Sequence, residues 1–325
     1  MPPTPQLSEP GARAQEVQDL GRKLPLTHLL PKPIHYVMAG GGAHGAVQWG
    51  LLQALSETDV VPDEIIGSSA GALSGVVYAE DPPSGLNRLA YVWAQLDSKY
   101  IIGENWIGRL ANARQINLVE NNTEHATLAS LLTARDFSEL GMPFATVATD
   151  LATGQVVVLD SGELIPALLA SSAIPGLLPP VRINGRLLVD GLTSANLPAV
   201  PAVKRGAGTV IVLDTGGRDM GDPSASTRRV LTRLSAIVGL AQRRDQLRDA
   251  AAHVPVLLLP TPGGLGGTLD FRQTMASAAN AYGMARAFFA DLTRHDSPLG
   301  PGLYARPDAR GIGDALVDVL RPVTQ

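Results

Sequence analysis

The sequence predicts an α/β protein built on a mostly parallel sheet. Short apolar segments of strand length alternate with segments in which apolar residues recur at helical spacing. Two glycine-rich turns, at residues 40–45 and 67–71, each connect an apolar strand to a helix, as in a βα unit. With 325 residues, of which 45% are hydrophobic, the chain is long enough to bury a large core.

The first predicted unit is a strand over residues 34–39, the turn 40–45 and a helix over residues 46–55. Val47, Leu51 and Leu55 recur at helical spacing in that last segment. A turn of this kind leaves backbone N–H groups beside a helix N-terminus, where anions bind. The turn therefore suits either a phosphate group or the oxyanion of a tetrahedral intermediate.

The second unit joins the short strand Ile65-Ile66 to a helix through a Gly-x-Ser-x-Gly turn. Its central residue, Ser69, is expected on a strained corner with an exposed hydroxyl group. Gly67 and Gly71 are expected because a side chain at either position would collide with the crossing strand and helix. The same five-residue pattern also occurs in loops without chemistry, so the motif alone does not establish a nucleophile.

A third candidate is Asp190, which ends the predicted strand 186–190 and is followed by Gly191. Asp-Gly is also a common turn, but a serine nucleophile needs a base. None of the six histidines lies in a segment that resembles a catalytic loop. They are His28, His35, His44, His125, His253 and His295.

The remaining elements continue the alternation. Helix 226–251 is expected to turn an apolar stripe to the core and its arginines to solvent, with contact to anionic lipid as the alternative. The stripe is Val230, Leu234, Val238 and Ala241. Residues 100–124 are expected to be irregular, either as a lid or as a surface excursion. Other predicted segments are strands 145–150, 155–160, 209–214 and 254–259, and helices 86–96 and 275–292.

Together the three motifs resemble the patatin family of lipid acyl hydrolases. That family has a Gly-Gly-Gly-x-Arg/Lys-Gly loop, a Gly-x-Ser-x-Gly elbow and an Asp-Gly-Gly/Ala motif in this order. Connecting segments are also similar over roughly residues 34 to 215. The corresponding segments here are Gly40–Gly45, Gly67–Gly71 and Asp190–Leu192, with Thr149–Gly154, Ala170–Val181 and Asn196–Pro198 between and after them.

The resemblance implies a three-layer α/β/α patatin-like fold and a catalytic dyad of Ser69 and Asp190, without histidine, metal or cofactor. A carboxylate with an ordinary pKa near 3.9 is a weak base, so it must be desolvated and assisted by an oxyanion hole. The implied donors are the N–H groups of Gly41 and Gly42, with Ala70. The implied substrate is a lipid or other acyl ester, cleaved through an acyl-serine intermediate.

Two residues depart from the family pattern. His44 occupies the Arg/Lys position of the glycine loop, and these side chains are not equivalent as donors or fixed charges. Leu192 replaces the second small residue after the aspartate, and it would be strained if the backbone there had a positive φ. Neither residue is the implied nucleophile or base, so an active enzyme is expected.

Two other functions remain open from the motifs. An α/β-hydrolase triad could combine Ser69 with Asp214 and with His253 or His295. A nucleotide- or lipid-binding relative without catalysis is the other alternative. Gly40, Gly42 and Gly45 match the dinucleotide fingerprint G-x-G-x-x-G, but the second strand lacks the acidic residue that holds the ribose.

Residues 1–33 are expected to be a proline-rich extension, and residues 34–325 a single domain. The extension lacks the charged start and apolar core of a signal peptide, although Ala14, Val17, Leu20 and Leu24 could form one face of a short helix. No apolar run reaches the roughly 20 residues that span a bilayer. The sequence therefore predicts a cytoplasmic protein, with peripheral membrane contact as an open alternative.

Charge and composition exclude some partners and specify little else. The net charge of −4 gives no reason to expect nucleic acid as a partner. Without cysteine there is no disulfide or thiol chemistry. The motifs do not specify an oligomeric state.

Overall fold

A computed structural model describes residues 23–95, 122–175, 178–216, 227–263, 265, 267, 270–306 and 320–322. Ten strands form one sheet, with helices on both of its faces. The strands are β1 (Ile34–Met38), β2 (Glu64–Gly67), β3 (Phe144–Asp150), β4 (Val156–Leu159), β5 (Val181–Ile183), β6 (Arg186–Asp190), β7 (Thr209–Leu213), β8 (Pro255–Leu258), β9 (Gly302–Ala305) and β10 (Leu320–Pro322). The helices are α1 (Ala46–Ser56), α2 (Ala70–Glu80), α3 (Pro82–Gln95), α4 (Asn122–Leu131), α5 (Leu164–Ser172), α6 (Ala199–Lys204), α7 (Thr227–Ala251) and α8 (Thr274–Leu292).

Seven of the strands run parallel, in the order β10-β9-β8-β7-β1-β2-β3. The other three are antiparallel additions: β4 and β6 both pair with β3, and β5 pairs with β6. The predicted α/β class with a mostly parallel sheet is therefore confirmed.

Both faces of the sheet are buried, which is why the parallel strands read as continuous apolar runs. In β1, Ile34, Tyr36 and Met38 pack into one core cluster, whereas Val37 packs into another on the opposite face. Alternate residues of a strand point to opposite faces, so the two clusters define three layers, helices, sheet and helices.

The predicted elements recur with ends shifted by a few residues, but the orientation predicted for α7 is wrong. Val238 is 64% exposed and Ala241 is also exposed, whereas the Arg243 side chain is only 11% exposed. The core contacts come from the last turns instead, through Leu247 and Ala250. At 25 residues α7 spans about 37 Å, so only part of it can cover the short neighbouring strands. The side chains of Val230 and Leu234 lie outside the described residues.

Two other expectations fall largely outside the described residues, namely the helix proposed near residues 14–24 and most of the irregular segment 100–124. Within the described part of the extension, Leu26, Leu29 and Leu30 are buried in the core. The domain boundary at residue 33 stays a prediction. No helix among the described residues combines the length and apolarity needed to cross a membrane.

Candidate active site

Ser69 occupies a sharp, strained turn between β2 and α2. Its backbone has φ 52° and ψ −123°, and besides Asn184 it is the only non-glycine residue with positive φ in the described part of the chain. Such a conformation costs about 1–3 kcal/mol and persists only where surrounding contacts enforce it. The side chain is half-buried, and its hydroxyl group makes no hydrogen bond with any described residue.

Glycines on either side of Ser69 allow this turn. A Cβ added to Gly71 would overlap the carbonyl oxygen of Met38 in β1, and one added to Gly67 would lie 2.6 Å from Cα of Ala72. The start of α2 therefore lies directly against β1, closer than any side chain permits.

Ser171, from the last turn of α5, holds the backbone of Ser69. The Ser69 N–H group donates to Ser171 Oγ at 3.0 Å. Ser171 Oγ in turn donates to the carbonyl of Val147 at 2.7 Å and lies 2.8 Å from Thr146 Oγ1. Ser171 has no exposed surface, so this hydrogen-bond network is rigid and protected from water.

The strand that ends in Asp190, β6, points toward the carboxyl end of β2. This is because β2 and β6 pair with the same side of β3 and run in opposite directions. Thr146 of β3 pairs with Gly67 of β2 on one side and with β4 on the other. Two residues further along, Ala148 pairs with Asp190 of β6, again with β4 on the other side. Two residues of strand correspond to about 6.6 Å, so the carboxyl ends of β2 and β6 meet beside β3.

Asp190 is 1% exposed, and both its side chain and its backbone are hydrogen-bonded. Its Oδ1 accepts a hydrogen bond from the Leu192 N–H group at 2.7 Å, and its own N–H group donates to Ala173 O at 3.0 Å. A Cβ added to Gly191 would lie 2.6 Å from Ser68 Oγ. The turn after Asp190 thus packs tightly against the turn that carries Ser69.

The glycine-rich loop after β1 lies against the same turn. Its Gly40 is fixed on three sides: the N–H group donates to Asn196 O at 2.9 Å, and the carbonyl accepts from Asn196 Nδ2 at 3.1 Å and from Thr215 Oγ1 at 3.0 Å. A Cβ added to Gly40 would lie 3.0 Å from Ser69 Cβ. This contact sets the position of the loop relative to Ser69.

Three backbone donors near Ser69 are not engaged. The N–H groups of Gly41, Gly42 and Ala70 donate no hydrogen bond to another residue in the described ranges. The Ser69 N–H group, by contrast, donates a hydrogen bond to Ser171 Oγ. Unengaged N–H groups next to a helix start can bind a negatively charged oxygen.

The sequence profile described as patatin-like phospholipase matches residues 36–203, a little more than half of the chain. The chain belongs to the patatin-like phospholipase family.

Individual relatives align with a similar part of the chain. Patatin-like phospholipase domain-containing protein 7 of Mus musculus is 33% identical over 201 residues, which cover 58% of this chain and 14% of the relative. An uncharacterised NTE family protein of Mycobacterium tuberculosis is 32% identical over 180 residues, 55% of this chain and 29% of the relative. The chain therefore spans a small part of the length of these relatives. VipD from Legionella pneumophila gives a TM-score of 0.46 at 15% identity, over 80% of this chain and 67% of VipD.

Both departures from the patatin-like pattern have defined surroundings. Leu192 does not have a positive φ, so the backbone strain considered for it is absent. The residue that packs closely against the Ser69 turn is Gly191. His44 is 4% exposed. It lies close enough to Asp270 to help lower the pKa of that carboxyl group to about 2, although hydrogen bonds from Arg272 are the main cause.

Sequence reasoning did not identify four polar residues that support the site. Three of them, Ser171, Asn196 and Thr215, hold the backbone of Ser69 or Gly40. Gln48 is fully buried in α1 and donates from Nε2 to Ala39 O at 2.8 Å and to Leu213 O at 3.0 Å. Thr215 could have been found, because polar residues that follow a parallel strand lie at the edge where ligands bind.

The structure does not bring together the residues of the alternative triad. Asp214 is 3% exposed and forms an ion pair with Arg243. His253 precedes β8 and His295 precedes β9, so both lie toward the amino ends of parallel strands. Ser69 follows the carboxyl end of β2. Among the described residues no cluster of three or more His, Asp or Glu side chains could hold a metal ion.

Proposed function

We propose that this chain is a serine lipid acyl hydrolase of the phospholipase A, lysophospholipase or carboxylesterase type. Ser69 is the nucleophile and Asp190 is the base. The observation that supports the proposal is that the carboxyl ends of β2 and β6 meet beside β3, since β2 leads into the strained Ser69 and β6 ends in the buried Asp190. Family membership supports the substrate class, an acyl ester of a lipid.

Acylation begins when Ser69 Oγ attacks the ester carbonyl carbon and its proton passes to the Asp190 carboxylate. The carbonyl oxygen becomes an oxyanion that the N–H groups of Gly41, Gly42 and Ala70 stabilise. Collapse of the tetrahedral intermediate breaks the bond to the alcohol, which takes the proton from Asp190. An acyl-Ser69 ester remains.

Deacylation repeats these steps with water as the nucleophile. Asp190 accepts a proton from water, and the resulting hydroxide adds to the acyl carbon. Ser69 Oγ then leaves and recovers the proton as the fatty acid is released. Burial of Asp190 assists both steps because a desolvated carboxylate is a stronger base.

Labelling and turnover together test this assignment. Fluorophosphonate labelling mapped by mass spectrometry should modify Ser69, and p-nitrophenyl ester turnover should fall by about a thousandfold or more in Ser69→Ala and Asp190→Asn. Ser74→Ala is the matched control, because Ser74 is a fully buried serine of α2 with no hydrogen-bond partner among the described residues. Label on a different residue, or full turnover in Asp190→Asn, would contradict the dyad.

We also propose that residues 34–325 form one catalytic domain that contacts lipid at a membrane surface. The family match lies inside this range, and the strands of the single sheet extend from Ile34 to Pro322.

A further inference from the structure

The largest exposed hydrophobic side chains concentrate at one edge of the sheet. It is the edge at which the parallel strands end and at which Ser69 lies. Five of the side chains lie at this edge and are called the apolar rim: Leu151, Val156, Ile237, Val238 and Met275. Exposed apolar groups that gather around a site mark a contact surface.

Leu151 and Val156 belong to the turn between β3 and β4. Leu151 directly follows the last residue of β3, three positions beyond Ala148, which is paired with Asp190. It is 52% exposed, and Val156 at the start of β4 is 37% exposed. This hairpin therefore extends past the site and presents apolar side chains there.

Ile237 and Val238 extend past the site on α7. Gln242 Nε2 donates to Thr193 O at 3.0 Å, and Arg243 pairs with Asp214, so this turn of α7 lies level with the ends of β6 and β7. Since α7 runs from there toward the start of β8, Ile237 and Val238 lie about 6 to 9 Å further out. They are 47% and 64% exposed.

Met275 completes the rim from the side of the glycine-rich loop. It is the second residue of α8 and is 43% exposed. Gly50, one turn into α1, packs against Ala278 of α8, and α1 begins at the loop. The first turn of α8 is therefore at the same edge as Ser69.

The clearest excess of positive charge near these side chains lies on α7, whose residues 227–242 include arginines and no acidic residue. Arg186, at the start of β6, and Arg272, just before α8, are also exposed, but each has an acidic partner: Asp150 lies 3.9 Å from Arg186, and Asp270 forms an ion pair with Arg272. By sequence, α7 carries Arg228, Arg229 and Arg233 in its first two turns. The whole chain has a net charge of −4, so the basic first half of α7 does not reflect the average composition.

We propose that the apolar rim and the arginines of α7 dock the protein on an anionic phospholipid surface, with the site facing the lipid. The inference rests on the proposed function and adds the surface and its partner. Rim side chains on three separate elements can each enter the headgroup region, while arginines bind lipid phosphates. A docked molecule receives its ester substrate directly from the bilayer.

A triple variant with Leu151→Ser, Ile237→Ser and Val238→Ser tests the surface. The probes are vesicles of phosphatidylcholine alone and of phosphatidylcholine mixed with phosphatidylserine, used in cosedimentation with the full chain. We expect wild type to bind the mixed vesicles more tightly and to be released by salt. The triple variant should bind at least about tenfold more weakly and should lose vesicle lipid hydrolysis to the same extent.

Val61→Ser is the matched control. Val61 is 61% exposed, like Val238, but it precedes β2 and lies at the opposite edge. It should leave vesicle binding unchanged. Turnover of a soluble p-nitrophenyl ester should be unchanged in both variants, because no substituted residue belongs to the proposed machinery.

Equal vesicle binding by the wild-type protein and the triple variant would overturn the proposal. The proposal would also be overturned if the wild-type protein turned over the soluble ester but bound neither kind of vesicle. A wild-type dimer that becomes monomeric in the triple variant would also overturn it, since the rim would then join two copies. Absence of soluble ester turnover in wild type would instead reject the proposed function.

Discussion

At the scale of single residues, the site depends on backbone positions that side-chain hydroxyl groups hold. Ser69 has a strained φ of 52°, and the hydrogen bond from its N–H group to Ser171 opposes relaxation of that turn. Ala173, two residues after Ser171, accepts the N–H group of Asp190. The end of α5 therefore contacts both proposed members of the dyad.

Ser171→Ala should lower kcat per active site by about tenfold or more and leave KM nearly unchanged. The substitution leaves the Ser69 N–H group buried without its acceptor, a loss of about 1–3 kcal/mol that the strained turn can recover by relaxing. Fluorophosphonate titration counts active sites, and steady-state turnover then gives the rate per site. Ser74→Ala controls for loss of a buried hydroxyl group. If kcat per labelled site equals that of wild type, Ser171 only stabilises the fold.

The sequence contains the patterns for Ser69, Asp190 and the glycine loop, because each follows a strand end with glycine neighbours. Ser171 and Asn196 lie in segments that resemble the family, but nothing local in the sequence assigns either residue a role. Their partners lie 102 and 156 positions away, so only the folded arrangement of strands reveals the contacts. Conversely, the strain considered for Leu192 depended on a backbone angle that the motif does not determine.

At the scale of elements, the ends of helices are joined by buried polar contacts. Glu80 ends α2 and accepts hydrogen bonds from the N–H groups of Thr133 at 2.7 Å and Ala134 at 2.6 Å, and it pairs with Arg88 of α3. Burial by itself would raise the pKa of Glu80, but the hydrogen bonds from Ala134, Arg88 and Thr133 outweigh it and hold the pKa below its ordinary value.

Glu80→Gln should destabilise the protein at neutral pH by about 1–3 kcal/mol, the usual cost of weakening hydrogen bonds to a charged group. Because the folded-state pKa is lowered, the contribution is complete above the unfolded-state value and is lost as pH falls through the folded-state value. Urea unfolding of wild type and variant at neutral pH and near pH 3 measures the difference. A difference that stays constant between the two pH values would contradict the role of the charge.

Helix α7 shows why an element can be predicted and its orientation missed. Helical periodicity identified the segment, since 227–251 agrees with the predicted 226–251 within one residue. The apolar stripe was assigned to the core because most surface helices bury such a stripe. In this fold the helix exceeds the length of the sheet beneath it, and Val238 and Ala241 lie beyond the core.

At the scale of the whole molecule, strand direction decides which residues can meet. Seven parallel strands have their carboxyl ends at one edge, where ligands bind in open α/β sheets. The alternation of apolar segments predicted this parallel sheet. It did not predict β5, β9 or β10, whose short sequences include Arg182, Gly302 and Pro322 and so lack a continuous apolar run.

His253→Ala and His295→Ala should each retain ester turnover within about twofold of wild type, whereas loss of a triad histidine reduces kcat by about a millionfold. Both residues precede parallel strands and so lie away from the edge that carries Ser69. Purified variants with unchanged melting temperatures are compared by p-nitrophenyl ester turnover. A collapse of activity in either one would mean that a histidine, rather than Asp190 alone, serves as base.

The shared side of β3 has a consequence for the spacing of the proposed dyad. Because β2 and β6 both hydrogen-bond to that strand, the separation between their ends is measured in peptide units along β3, from Thr146 to Ala148. A two-residue slip of β6 would keep every side chain on its own face of the sheet, yet it would move the carboxylate by about 6.6 Å. The distance between the proposed base and nucleophile therefore depends on strand register, and side-chain packing alone does not maintain it.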